Sequence, residues 1–316
     1  MSILVTGGTG FIGRLLVEKL LKKEKVIVFA RKEDEELDKK CNLVLGDVTK
    51  TDELKEVFSE HKINIIYHLA ANIDEDDKNM YNDNITGTKN VIDFAKQNAV
   101  KRIIFMSSSG VLGETKEPAT EDFPYNPKTS YEKSKAQCEK MLIESGLPYT
   151  IIRASIIIGT NNIWLNIIKA AKKGYPIIGS GKNYFHLAHV KDVVSLLFLV
   201  MDNKKAENQI FHIATKDAPI YEEVYRIICD ELGISMTKKH VSVRVVYIMS
   251  WFHSFTSKLR RKKPKLIMMR SSIDRLIRNR IISIDKAKHV LNFEPEYDTR
   301  KAIKETIQYF KERGNI

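Results

Sequence analysis

Short runs of β-branched and other apolar residues alternate with longer stretches in which apolar side chains recur every three or four positions, and this alternation fills the first 160 residues. Runs at 3–5, 26–29, 43–45, 65–68, 103–106 and 150–153 are apolar almost throughout, as a parallel strand covered on both faces requires. Stretches at 12–23, 52–60, 88–97 and 130–145 have helical spacing. Repetition of strand and helix is the pattern of βαβ units and predicts an α/β architecture, a doubly wound parallel sheet. Beyond Gly159 the alternation loosens, and glycine-rich pieces such as Ile178-Gly179-Ser180-Gly181-Lys182 give way to longer helical segments. The expected organisation is a first unit at 1–158, with 189–214 returning to it, and a smaller, mainly helical portion made of 159–188 and 215–316.

Composition changes this picture little. With 43% hydrophobic and 29% charged residues, the chain has the balance of an ordinary soluble globular protein. Its three cysteines, Cys41, Cys138 and Cys229, are odd in number and far apart, which excludes a disulfide framework and a zinc site of Cys-x-x-Cys spacing. A reducing, cytoplasmic setting is therefore expected. The chain opens on the strand-like Ile3-Leu4-Val5 with no basic-then-apolar stretch before it, so a secretory leader is not expected. No apolar run approaches the roughly 20 residues of a membrane-spanning helix.

Charge is more informative through its distribution than its sum. The net charge is +12, yet residues 241–280 alone hold eleven Lys or Arg against the single acid Asp274, a local balance of +10. The remainder is nearly neutral, which excludes a basic stripe over the whole surface. Residues 241–257 are also largely apolar, with Trp251, Phe252 and Phe255, and run into Lys258-Leu259-Arg260-Arg261-Lys262-Lys263-Pro264-Lys265. Aromatics beside cations suit peripheral contact with an anionic membrane through 241–265. A substrate-covering helix with a solvated charged end, or a site for a phosphorylated ligand, is the alternative. Nucleic acid is not expected, since no recognised binding fold accompanies the patch.

Gly7-Gly8-Thr9-Gly10-Phe11-Ile12-Gly13 follows the first strand and opens the first helix, the context in which three spaced glycines bind a dinucleotide. Gly7 permits a tight turn, Gly10 lets backbone approach a pyrophosphate, and Gly13 lets helix pack on strand. The helix N-terminus offers free N–H groups to phosphate. The second strand ends Val28-Phe29-Ala30-Arg31-Lys32, with two cations where an acid would hold the adenine ribose. Arg31 is the expected clamp for a 2′-phosphate, aided by Lys32, so NADP(H) is the preferred cofactor. NAD(H) stays open, with Glu33 or Asp34 serving the ribose. Asp47, with Val48 beside it, follows the third strand where it can meet the adenine.

Tyr131 and Lys135 stand i and i+4 on a predicted helix and so share a face. A nearby ammonium is expected to lower the phenol's pKa and fit the pair for passing a proton to or from a carbinol oxygen. Ser108, at the end of the strand 103–106, is the candidate for polarising the carbonyl, with Ser109 the fallback.

The motifs Thr6 to Gly13, Asp47, His68-Leu69-Ala70-Ala71, Asn84-Ile85-Thr86-Gly87-Thr88, Ser107-Ser108-Ser109-Gly110-Val111-Leu112-Gly113, Tyr131 to Lys135 and Arg153 to Gly159 stand in order along the chain. So do His189-Val190-Lys191-Asp192-Val193 and Leu291-Asn292-Phe293-Glu294-Pro295. In this the sequence resembles the extended short-chain dehydrogenase/reductase superfamily, the NAD(P)-dependent epimerase/dehydratase group. The resemblance implies a Rossmann fold in which Leu69, Ala70 and Ala71 line the cofactor and Asn84 supports the active-site helix. It also implies that Lys135 holds the nicotinamide ribose, that Ser108 rather than Ser109 is catalytic, and that a homodimer pairs the helices near 88–97 and 131–145. His68, His189 and His212 read as structural residues, the first and last as satisfied core histidines.

Within that group, dehydratases carry an acidic pair after the catalytic Ser or Thr, and here Ser109-Gly110 stands there. Epimerases usually carry an Asn three residues after the motif's Arg, where this chain has Ile156. The apolar replacement resembles the branch of 3β-hydroxysteroid dehydrogenases and dihydroflavonol reductases. The expected activity is hydride transfer to or from a ketone or secondary alcohol of a lipid-like or aromatic substrate. A sugar-nucleotide epimerase is the alternative; a binding module without chemistry is disfavoured by the presence of Tyr131 and Lys135.

Overall fold

In the computed structural model, which describes residues 1–259 and 270–316, every predicted strand and helix of the first half is present. The chain runs β1 (Ser2–Thr6), α1 (Phe11–Leu20), β2 (Lys25–Ala30), α2 (Glu35–Asp38), β3 (Asn42–Leu45), α3 (Thr51–Glu60), β4 (Ile65–His68), α4 (Met80–Gln97), β5 (Arg102–Ser108), α5 (Ser130–Glu144) and β6 (Tyr149–Ala154). It continues through β7 (Ile156–Ile158), α6 (Asn162–Lys172), β8 (Ile177–Ile178), β9 (Leu187–His189), α7 (Val190–Leu199) and β10 (Gln209–Ile213). The last elements are α8 (Tyr221–Leu232), β11 (His240–Val241), α9 (Val243–Leu259), α10 (Arg270–Ile277), α11 (Asp285–Leu291) and α12 (Thr299–Glu312).

Seven parallel strands form the central sheet in the order β10-β6-β5-β4-β1-β2-β3. Because successive strand residues point to opposite faces, the apolar runs supply two cores. Ile3, Val5, Val28, Tyr67, Ile104 and Ile152 pack with Leu16 and Leu20 of α1 and Val193 and Leu197 of α7. Leu4, Ile27, Ile66, Phe105 and Ile151 face the other way, against Leu54 of α3, Val91 of α4 and Leu142 of α5. A further cluster lies in the later half, where Trp164 and Ile168 of α6 meet Val224 and Ile228 of α8 and Ile303 and Ile307 of α12. Asp192 in α7 joins this region to the sheet, accepting the N–H groups of Glu296 and Tyr297 at 2.9 and 3.1 Å.

Helix α4 begins at Met80, two turns before its predicted start at 88. The polar stretch Asn82-Asp83-Asn84 and Gly87 conceal these turns from a reading of hydrophobic spacing. In the fold Asn84 is buried and exchanges hydrogen bonds with the backbone of Asn72 at 2.7 and 3.0 Å. A Cβ on Gly87 would stand 2.6 Å from a methyl of Val48. Both residues are interior positions, chosen for hydrogen bonding and closeness rather than for apolarity.

A buried ion pair fixes how α5 sits on the sheet. Glu139 of α5 and Arg153 of β6 are respectively 0% and 1% exposed and meet at 2.7 Å. Glu139 also accepts from Ser107 of β5 and, at 2.7 Å, from the Tyr125 hydroxyl, while Arg153 donates to the Glu121 carbonyl at 2.8 Å. Arg153→Met leaves a buried carboxylate without its counter-charge, so it is expected to cost about 3–5 kcal/mol. Urea unfolding measures this, and the double variant Glu139→Leu/Arg153→Met should recover most of it; a loss below about 1 kcal/mol for the single change would contradict the pairing.

Candidate active site

The glycine turn is shaped by contacts that no side chain could survive. Gly7 has φ +72°, donates its N–H to the Phe29 carbonyl at 2.9 Å, and would carry a Cβ only 2.8 Å from the Ala70 nitrogen. A Cβ on Gly13 would lie 2.3 Å from the Gly7 carbonyl oxygen, so the first turn of α1 rests directly on the loop. Gly10 caps that helix with no side-chain hydrogen bond, which leaves the leading N–H groups open to an external acceptor. This cradle fits a pyrophosphate.

Two adjoining clefts, each of about 420 Å³, share Gly7, Gly10, Leu69 and Ala71. On one side Thr9, Arg31, Lys32, Asp47, Val48, Ala70 and Asn84 form the wall. Arg31 is 61% exposed and stands 3.8 Å from the Asp47 carboxylate. Glu33 and Asp34 do not line this cleft, and Asp34 is engaged elsewhere, accepting the Leu37 N–H at 3.1 Å and the Arg14 guanidinium at 2.9 Å. The set suits the adenosine half of a dinucleotide.

The second cleft brings together Phe11, Ile12 and Gly13 with Ser108, Tyr131 and Lys135. Thr129 caps α5 through a reciprocal pair with Glu132, which starts the helix one residue before Tyr131. Asn84 reaches across from α4 and donates to the Ser134 hydroxyl at 3.0 Å, holding the turn between Tyr131 and Lys135. Lys135 is buried, donates to the Met106 carbonyl at 2.8 Å and lies 4.5 Å from the centre of the Phe105 ring. Ser108 accepts the Gly110 N–H at 3.1 Å, and its own O–H has no acceptor among the described residues. Ser109, the fallback, also lines this cleft.

One expectation is overturned. Burial pushes the Tyr131 phenol up to about 12 rather than down, and the charge that most opposes the rise is Arg275, not Lys135. The Lys135 ammonium is itself lowered to about 8, first by burial. Desolvation outweighs attraction here because the ammonium is turned toward the Met106 carbonyl and the Phe105 ring.

Hydrophobic spacing and motif reading also missed a cationic wall. Arg275, Arg278 and Arg280 line the same cleft as Tyr131, so three of the cations counted in the basic segment face inward. Arg280 is buried against Glu132, which Arg278 also meets at 3.4 Å, and the Arg280 Nε has no hydrogen-bond partner among the described residues. Glu75 stands on this wall with its carboxyl raised by burial. The signal was present in the spacing Arg275, Arg278 and Arg280 around Asp274, but a charge in sequence carries no mark of which way it faces.

The histidines are structural, with one amendment. His68 is bonded through both ring nitrogens, to Thr6 at 2.7 Å and Thr88 at 3.1 Å, and burial lowers it to about 3. His189 stacks on Tyr297 with ring centres 3.7 Å apart. The His212 Nδ1 meets the Ser283 carbonyl at 3.2 Å, while its buried Nε2 has no hydrogen bond of good geometry among the described residues.

Comparison with known proteins agrees with this geometry. The chain is 27% identical over 321 residues, 92% of its length and 95% of the other's, to a sterol-4-alpha-carboxylate 3-dehydrogenase (decarboxylating) of Dictyostelium discoideum. It is 28% identical over 333 residues to a UDP-glucose 4-epimerase of Vibrio cholerae, covering 99% of this chain and 97% of that one. Its fold matches the crystal structure of the Thermotoga maritima UDP-glucose 4-epimerase with a TM-score of 0.80 at 23% identity, over 99% of each chain. Residues 3–214 match the NAD dependent epimerase/dehydratase family. With that match across most of the chain and a glycine cradle built for a dinucleotide, the protein is a member of the NAD dependent epimerase/dehydratase family, an enzyme of the extended short-chain dehydrogenase/reductase type.

Proposed function

We propose that this enzyme transfers hydride between a nicotinamide cofactor, with NADP(H) preferred, and a ketone or secondary alcohol on a largely apolar substrate, using Ser108, Tyr131 and Lys135. One observation carries the reading: these three side chains share a cleft that is also lined by Ile156, Ile157, Ile163, Trp164 and Ile167, with Asn161 and Asn166 among them. The five apolar side chains recover hydrophobic free energy from an apolar body. The sterol named for the Dictyostelium relative is a substrate of that class.

When bound, the nicotinamide supplies or takes up the hydride. Tyr131, protonated at neutral pH because burial holds its phenol up at about 12, gives its proton to the substrate oxygen during ketone reduction. Ser108 donates its unused O–H to the same oxygen and stabilises the charge gathering there. Lys135 keeps two N–H groups beyond the one it gives the Met106 carbonyl and would hold the nicotinamide ribose with them, while Arg275 is the charge that most eases loss of the phenolic proton.

A sugar-nucleotide epimerase is the second reading, favoured by the Vibrio relative and by the guanidinium wall, which suits a substrate anion. Net consumption of NADPH with substrate supports the first reading, and turnover without consumption supports the second.

Tyr131→Phe removes the proton donor but little of the nucleotide's surroundings, so turnover should fall by about 10²–10⁴-fold with NADPH affinity nearly unchanged; steady-state kinetics beside fluorescence titration decide this, and undiminished turnover would refute the role. The Lys135 ammonium is lowered to about 8, so it is charged below that pH and neutral above it. A profile of kcat/KM for ketone reduction should therefore be level through neutrality and fall as pH rises through about 8; a profile still level at pH 10 would exclude the ammonium. Arg31→Ala should weaken NADPH by roughly 10–100-fold, the worth of a charged hydrogen bond, with little effect on NADH. Equal losses for both nucleotides, by calorimetry, would remove the basis for the preference.

A further inference from the structure

Helix α9 presents its apolar side to solvent. Between residues 243 and 252 of it, where side-chain burial is described, Val246 and Ser250 are the buried positions, 6% and 4% exposed, and the Tyr247 hydroxyl donates to Asp274 of α10. Val245, Ile248, Met249 and Phe252, spaced i, i+3, i+4 and i+7, form the outward stripe and are 46%, 64%, 51% and 59% exposed. Trp251, beside them, is 65% exposed. A contiguous apolar face of this kind on a water-soluble surface marks a contact site.

Charge identifies the occupant. The exposed cations Lys238 and Lys239 precede the helix, and Arg244 lies in its first turn. The helix ends on Lys258-Leu259, the sequence continues Arg260-Arg261-Lys262-Lys263-Pro264-Lys265, of which 260–265 lie outside the described residues, and 241–273 contain no acid at all. A second copy of the chain would bring the same positive charge against this one. An anionic surface complements it, and an apolar stripe flanked by Lys and Arg is the form that seats in the headgroup region of a bilayer. Among the described residues no helix is long and apolar enough to cross a membrane, so the contact is lateral.

We propose that the outward face of α9 docks this enzyme on an anionic lipid surface. Docking there has a consequence for the reaction proposed above, on which this part rests: α9 packs against α10, whose Arg275 and Leu276 line the substrate cleft, so an apolar substrate is delivered from the bilayer to the wall that receives it.

The test is sedimentation of the full-length protein with vesicles of phosphatidylcholine alone and with added phosphatidylglycerol, for the wild type and for Ile248→Glu/Trp251→Glu. The expected result is binding to the anionic vesicles only, weakened by salt and reduced at least about tenfold in the variant, since each lost apolar anchor removes its share of buried area. Circular dichroism and activity on a water-soluble ketone should be unchanged in the variant, which separates a failure of docking from a failure of the catalytic reading. A wild type that stays in the supernatant, a variant that binds equally well, or a wild-type dimer that the variant converts to monomer would each overturn the proposal.

Discussion

The Glu139–Arg153 pair sets the geometry on which the proposed catalytic arrangement depends. Tyr131, Lys135 and Glu139 occur at intervals of four along α5 and so lie on one face of it. Glu139 anchors the inner end of that face to β6 through Arg153 and to β5 through Ser107, the neighbour of Ser108. Fixing the helix's rotation about its axis at Glu139 also fixes where Lys135 and Tyr131 point, one and two turns earlier. Two charges can be kept wholly out of water in this way because Glu139 is also met by Tyr125 and Ser107, and Arg153 by the Glu121 carbonyl.

The same desolvation decides the protonation states in the cleft. It pushes Tyr131 up and Lys135 down, so the two groups move apart in pKa while both remain protonated at neutral pH. In the mechanism proposed above the resting phenol would be a proton donor, and its acidity depends on how much positive charge surrounds it. Arg275, contributed by a helix more than a hundred residues later in the chain, is the largest such charge.

The sheet was legible because a strand buried on both faces can only be a continuous apolar run, and the turn because Gly7 and Gly13 stand where no Cβ fits and Gly10 where one would crowd the Gly7 carbonyl. The helix face of Tyr131 and Lys135 was legible for a similar reason, since a spacing of four is a statement about local geometry alone. The first turns of α4 were not, because Asn84 and Gly87 are selected by partners 12 and about 40 residues away, Asn72 and Val48. Nor was the inward turn of Arg275, Arg278 and Arg280, whose charge reads the same in sequence whether it meets water or a cleft. The direction of the Tyr131 shift failed for the remaining reason: attraction between i and i+4 is local, but burial is a property of the whole fold.

The bond from Lys135 to the Met106 carbonyl constrains which cation can occupy this position. An ammonium has three hydrogens, and committing one of them to the strand leaves two to reach toward the cleft without any rotation of the side chain. A guanidinium is flat, spreads its charge over five N–H groups and never gives up its proton at ordinary pH, so it could neither wedge between that carbonyl and the Phe105 ring nor switch off in mild alkali. Arginine is thereby ruled out at 135 by shape and acidity together, although it would preserve the charge.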